Sequence, residues 1–299
     1  MIPAERRRFS IGLPHPWWIL LTAAVLGVTA IALHVGFSSQ KQQAAIRVVE
    51  RANGRFELDH KGPTRLRAWI GNEKMELFDD LTSISLFNAR FGDRELTYLK
   101  GLPRLRSLDL TNTQVTDAGL SHLELSRLES LKLNYTRIAN DALVNLKGMS
   151  GLKVLDLGNT RITDAGLSHL HAVPNLRILY LANTKVTDEG IRQLIALKEL
   201  DFVNLSGTQV TDAALGQLKT FSNLQWLWIA GTRVTDAGFE HVAGMPKLEW
   251  LDLRNTGVTD AGLTYLTGLT RLKHLDVGGT SITREGVTDK NLNSVATFR

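Results

Sequence analysis

A threonine recurs at Thr113, Thr136, Thr160, Thr184, Thr208, Thr232, Thr256 and Thr280, stepping by 24 residues except for a first step of 23. Around each stands one frame, clearest as Leu105-x-x-Leu108-x-Leu110-x-x-Thr113-x-Val115-Thr116-Asp117-Ala118-Gly119-Leu120. Self-similarity at a fixed period of this length means a solenoid: one unit cannot bury its apolar face alone and must stack on the next. A residue type found in every unit therefore belongs to the scaffold. A functional site has to be sought where the units differ.

The frame can be followed through Leu128, Leu131, Leu133, Thr136 and Ile138, through Leu176, Leu179, Leu181, Thr184 and Val186, and on to Leu272, Leu275, Val277, Thr280 and Ile282. A degenerate first copy holds Leu81, Ile84, Leu86, Ala89 and Phe91, which makes nine units over residues 81 to about 292. Alternation of Leu108 and Leu110 with Ser107, Asp109 and Thr111 predicts a strand with one apolar face. Asn or Gly follows at Asn112, Asn159, Asn183, Gly207, Gly231, Asn255 and Gly279, types that tolerate the left-handed turn by which the chain leaves the strand. Thr-Asp, as at Thr116 and Asp117, then reads as a helix N-cap signal. Ala139-Asn140 and Thr283-Arg284 depart from it and predict weaker capping in those two units. The threonine ladder itself is expected to bond backbone groups in the buried turn.

The spacing L-x-x-L-x-L-x-x-T-x-V/I resembles the leucine-rich repeat, with Thr in place of the usual ninth-position Asn or Cys. The Thr-Asp-Ala-Gly-Leu variant is similar to a bacterial repeat type of predicted membrane and surface proteins, planctomycete ones among them. The resemblance implies a horseshoe of the α/β class, with a parallel sheet on its concave face and short helices on its convex face. It also implies binding to other proteins rather than catalysis.

Ahead of the repeats, Trp17 to Phe37 is an uncharged, mostly apolar run. At about 1.5 Å per residue it is long enough to cross a hydrocarbon layer of roughly 30 Å. Arg6, Arg7 and Arg8 precede it and only Lys41 follows closely, so the positive-inside bias places the N-terminus in the cytoplasm and the repeats outside. A cleaved signal peptide with Ala30-Ile31-Ala32 as its processing site is the rival, and Arg6-Arg7-Arg8-Phe9 resembles a twin-arginine export signal. The run continues past that site, which favours an uncleaved anchor in the cytoplasmic membrane. The expected organisation is a basic tail at 1–16, a signal anchor at 17–37, and a linker helix at 38–54 stopped by Asn53-Gly54. An N-terminal solenoid cap at 55–80 with Phe56, Leu58, Leu66, Trp69, Ile70 and Leu77 follows, and then the repeat domain at 81–299. The C-terminal end, with Val287, Leu292, Val295 and Phe298, carries no recognisable cap motif.

The absence of cysteine excludes disulfide caps, thiolate zinc sites and thiol catalysis. Net charge is +5 with signs interspersed, and an outward column holding Asp109, Asp156, Asp252 and Asp276 is acidic, which argues against nucleic acid. Asp109 and Asp156 are placed to pair with Lys132. His122, His169 and His241 share one repeat position and sit rungs apart, so no metal is expected. The recurring aspartates, Asp117 to Asp260, are assigned to N-capping rather than calcium. No phosphate-binding loop, nucleophile elbow or zincin string occurs, and no cofactor is expected.

The period also states which side chains face the concave surface. Six residues before each threonine the column reads Val154, Ile178, Phe202, Trp226, Trp250 and His274; four before, Asp156, Tyr180, Asn204, Trp228, Asp252 and Asp276; two before, Gly158, Ala182, Ser206, Ala230, Arg254 and Gly278. Aromatics therefore crowd the middle-to-late repeats on rungs about 4.8 Å apart. Tyr180, Phe202, Trp226, Trp228 and Trp250 are expected as a solvent-facing patch with Asn204, Asp252, Arg254 and His274 around it. The rival is rings that merely stack along the sheet. Patch size and the prevalence of Trp, Tyr and Arg in binding hot spots favour a surface for a protein partner. A glycan lying on a flat row of indoles is the alternative ligand, and regulatory inhibition of an exported enzyme a third role.

Overall fold

The computed structural model describes residues 40–60, 68–69, 79–290, 292 and 294–298. The proposed anchor at 17–37 lies outside them, as do Leu66, Ile70 and Leu77. Among the described residues no helix is long and apolar enough to cross a membrane.

Among the described residues eleven strands form one sheet in chain order. Strand β1 (Arg55–Asp59) runs antiparallel to β2 (Asp80–Ser85), with a register shift between Glu57 and Leu58. From β2 onward every pairing is parallel: β3 (Ser107–Asp109), β4 (Ser130–Lys132), β5 (Val154–Asp156), β6 (Ile178–Tyr180), β7 (Phe202–Asn204), β8 (Trp226–Trp228), β9 (Trp250–Asp252), β10 (His274–Asp276) and β11 (Ala296–Thr297). Leu108, Leu131, Leu155, Leu179, Val203, Leu227, Leu251 and Leu275 stand in register and are fully buried. The return path of each unit is one short helix or two, of α or 3-10 type, such as Asp188–Gln193 and Asp212–Leu218. One continuous hydrophobic core runs between the sheet and these helices.

Three ladders of polar groups run along the units, the first within each unit and the other two between neighbours. Each ladder threonine donates its hydroxyl to the backbone carbonyl three residues earlier, Thr184 Oγ1 to Leu181 O at 2.6 Å for example, which satisfies a buried acceptor at the exit from the strand. The residue just before it takes a left-handed conformation: Asn112, Asn159, Asn183, Asn255, Gly207, Gly231 and Gly279 as expected. Tyr135 does the same at φ 57°, a conformation unfavourable for a bulky side chain, in the unit that is one residue short.

The second ladder corrects the capping assignment. Asp164 does not cap its own helix; Oδ1 accepts from Thr187 N at 2.8 Å and Oδ2 from Thr187 Oγ1 at 2.7 Å in the next unit. Asp93, Asp188, Asp212, Asp236 and Asp260 make the same pair of bonds to Thr116, Thr211, Thr235, Thr259 and Thr283. Threonines occupy the N-cap positions of these helices; Thr187 and Thr211 accept from Glu189 N and Ala213 N, while Thr116 and Thr163 make no side-chain cap bond. Weaker capping holds at Ala139, whose methyl group cannot accept a hydrogen bond, but not at Thr283, which accepts from Gly286 N at 3.0 Å. At the Ala139-Asn140 unit the clamp survives in altered form: Asp117 Oδ1 accepts from Ala139 N, and Asn140 Nδ2 donates to Thr163 Oγ1.

The third ladder lies just before several of the strands, where opposite charges face each other across rungs. Lys153 bonds Glu129 at 2.7 Å, Arg177 bonds Asp201, and Lys273 bonds Glu249 at 2.7 Å. The Lys153 bond holds the Glu129 carboxyl below its ordinary pKa.

Both ends are closed. A helix over residues 40–51, named α1, places Ala45 and Val49 in the same core as the repeats, with Phe56 and Leu58 of β1 packed beside them. The segment read as a linker is thus part of the cap. Gln42 fastens it, donating to Asp79 O at 2.8 Å and accepting from Leu81 N at 3.1 Å. Trp69, expected in the cap's apolar contribution, is exposed. At the other end β11 adds one strand to β10, and Leu292, Val295 and Phe298 cover the last unit. Arg284 lies over the Phe298 ring at 5.0 Å.

Candidate functional site

The parallel register sets Phe202, Trp226, Trp250 and His274 side by side on β7 to β10, and Tyr180, Asn204, Trp228 and Asp252 side by side on β6 to β9. All nine singled-out residues therefore come to one region of the sheet. Their exposures differ from the expectation of a row left in water. The rings cover one another in a zigzag that switches columns: Tyr180 to Phe202 at 4.6 Å, Phe202 to Trp228 at 4.9 Å and edge-on, Trp228 to Trp250 at 6.1 Å, and Trp250 to His274 at 4.4 Å. Phe202, in the middle, is only 7% exposed. Tyr180, Trp226, Trp228 and Trp250 are half-buried, and His274 is exposed. Stacking and outward orientation thus occur together, because diagonal neighbours on adjacent rungs are within reach of large rings.

The planes are tilted by 34° to 78° between neighbours, so the flat row of indoles imagined for a glycan is absent among the described residues. Trp226 is not a member of the zigzag. Trp250 donates through Nε1 to Asp276 Oδ2 at 3.3 Å, while Trp228 Nε1 is buried with no hydrogen-bond partner among the described residues.

The polar rim also needs correcting. Asn204 is 8% exposed and Asp252 is 2% exposed. Both belong to a turn repeated along the second column, in which the side-chain oxygen accepts from the backbone N–H two residues on: Asp109 from Thr111, Asp156 from Gly158, Asn204 from Ser206 and Asp252 from Arg254, at 2.9–3.1 Å. This explains why Asp and Asn recur there, since their short side chains reach exactly that far and no farther in an Asx turn. Tyr180 and Trp228 occupy the same column without that oxygen. Asp252 in addition grips Arg254, Nε to Oδ1 at 2.9 Å and a terminal nitrogen to Oδ2 at 2.6 Å. These bonds raise the Arg254 pKa and hold its half-exposed guanidinium in one orientation.

Nearby, Lys132 approaches Asp109 at 3.8 Å, whereas no ion pair joins it to Asp156 among the described residues. Burial pushes the Asp156 carboxyl up despite the Gly158 bond and the Lys132 charge. Burial, and then the charge of Asp156, push the Tyr180 phenol up as well. No group of three or more His, Asp or Glu side chains converges on a possible metal position among the described residues.

Models of the leucine-rich repeat match residues 102–123 and 126–186. Those segments are leucine-rich repeats, and the same strand pairing continues through the neighbouring units. Among solved structures the chain is similar to internalin C2 of Listeria monocytogenes, at 22% identity over 73% of this chain and 81% of that one, with a TM-score of 0.50. A second internalin of the same organism, inlF, aligns at 16% identity over 78% and 93% of the two chains with a TM-score of 0.43. The first of these likenesses concerns the fold. Within the leucine-rich repeat frame, the third-ladder charges and the Asx turns were missed from sequence, although a 24-residue comparison of columns would have displayed both.

Proposed function

We propose that this leucine-rich repeat chain is a non-catalytic recognition module that binds a protein partner through the concave surface of β6 to β10. The observation that carries the reading is the concentration of large rings on consecutive concave strands, at positions where the scaffold requires no particular residue. Within it the roles divide. Tyr180, Phe202, Trp228 and Trp250 support one another and form a stiff floor. Trp226, outside the zigzag, and Arg254, held by Asp252, offer an indole and an oriented guanidinium, the side-chain types that dominate binding hot spots. His274 ends the row on its exposed side. Tilted planes favour a shaped protein surface over an extended glycan, whose successive sugars would lie along a flat row of rings. We propose further that the apolar run at 17–37 anchors the module in the cytoplasmic membrane with the repeats outside.

A photo-crosslinking amino acid at position 226 in living cells tests the site. The expected result is a dominant protein adduct that disappears when Arg254→Ala is added. Adducts identical to those from a crosslinker at the convex position 195 would sink the reading.

A further inference from the structure

At the opposite end of the sheet, four arginines line one open cleft of about 500 Å³ between α1 and the first repeat. Arg47 and Arg51 stand one helical turn apart on α1, and Arg90 and Arg94 are contributed by the loop and helix after β2. Val48 and Tyr98 add an apolar wall and a half-exposed ring. None of the four guanidinium groups has an ion-pair partner among the described residues. Lys153, Arg177 and Lys273, by contrast, meet carboxylates one rung away.

The acids at hand are already engaged. Glu95, which lines the cleft, accepts from Gly92 N at 3.0 Å and closes the start of its helix. Asp93 accepts from Thr116 N at 2.8 Å and from Thr116 Oγ1 at 2.6 Å. Like charges four apart on a helix repel, as at Arg47 and Arg51, and Arg90 and Arg94 bring two more cations to the same cleft against the single lining carboxylate of Glu95. An anion placed among them would relieve that repulsion. Guanidinium forks match tetrahedral phosphate oxygens two at a time, and the volume lies in the range of small-ligand sites.

We propose that this cleft binds a phosphate-bearing anion of about the size of a diphosphate, free or as a phosphorylated lipid headgroup. The site is separate from the aromatic surface and independent of the reading given for it.

The full chain in an uncharged detergent is titrated with inorganic pyrophosphate at fixed ionic strength, following the melting temperature. In a second arm it is held in nanodiscs of phosphatidylcholine with or without phosphatidylglycerol, following amide hydrogen exchange over residues 40–51. The expected result is stabilisation in at least one arm; pyrophosphate alone identifies a free anion, and phosphatidylglycerol alone a headgroup. Arg51→Gln with Arg90→Gln should weaken the response by roughly tenfold or more, the scale of losing charge-assisted hydrogen bonds. Arg271→Gln, on the last full repeat, should leave it unchanged. Without anion the double variant should melt no lower than the parent, since repulsion is removed. No response in either arm, or an equal response in the double variant, would overturn the proposal.

Discussion

At Asp188 a single carboxylate joins two repeats, accepting from Thr211 N and from Thr211 Oγ1, both under 3 Å. Asp188→Ala leaves a backbone N–H and a hydroxyl without their acceptor. A loss of about 1–3 kcal/mol is expected, the cost of an unsatisfied partly buried donor. Asp188→Asn should lose less than half of that, because Asn140 already serves Thr163 natively through both its oxygen and its nitrogen. Urea unfolding of the two variants checks the order, and equal losses would refute the clamp. The residue types at these positions were legible in the sequence, but their partners were not. Thr-Asp reads as a local cap because capping is a relation within one helix. The clamp is a relation between residues 23 apart that only stacking brings together.

The strands of the aromatic region show what a three-residue element can and cannot decide. The period assigned Phe202, Trp226, Trp228 and Trp250 to the outward face, and the register places them there. It could not say that a ring in one column would lean onto a ring in the other on the next strand. That diagonal contact separates stability from recognition. Trp228 touches Phe202 and Trp250, so Trp228→Ala should cost about 1–3 kcal/mol at roughly 0.5–1.5 kcal/mol per ring pair. Trp226→Ala breaks no ring pair and should cost clearly less. Thermal unfolding of both variants measures the difference, and a Trp226→Ala loss as large as that of Trp228→Ala would contradict the division of roles.

For the molecule as a whole, a solenoid is stabilised by contacts between neighbours, so its two ends are the places where apolar surface must be closed off. Here α1 with β1 closes one end, and the segment from Leu292 to Phe298 closes the other. The N-terminal cap carries the arginine cleft and follows the apolar run at 17–37, while the aromatic surface lies in the later repeats. Display outside the cytoplasmic membrane requires the repeats to be cut by a protease added to cells whose outer layers are permeabilised. Full digestion of the repeats with the cytoplasm intact is the expected outcome. Protection until the cytoplasmic membrane is lysed would reverse the topology.

A 24-residue period, broken only by one unit of 23, with leucines or other aliphatic residues at fixed offsets, was sufficient by itself to determine a parallel solenoid, the inward and outward faces of each strand, and the left-handed exit at Asn or Gly. Those properties depend on near neighbours along the chain, and the period repeats the same local chemistry in every unit. Tertiary structure alone decided that Asp260 holds Thr283, that Asp252 and Asn204 turn back to their own backbone, that Phe202 is covered, and that α1 belongs to the cap. The clamp, the covered ring and the cap depend on which side chain reaches across to an adjacent rung or element, a distance that is set only when the repeats are stacked, while the turns at Asp252 and Asn204 use the same side-chain oxygen on the local backbone.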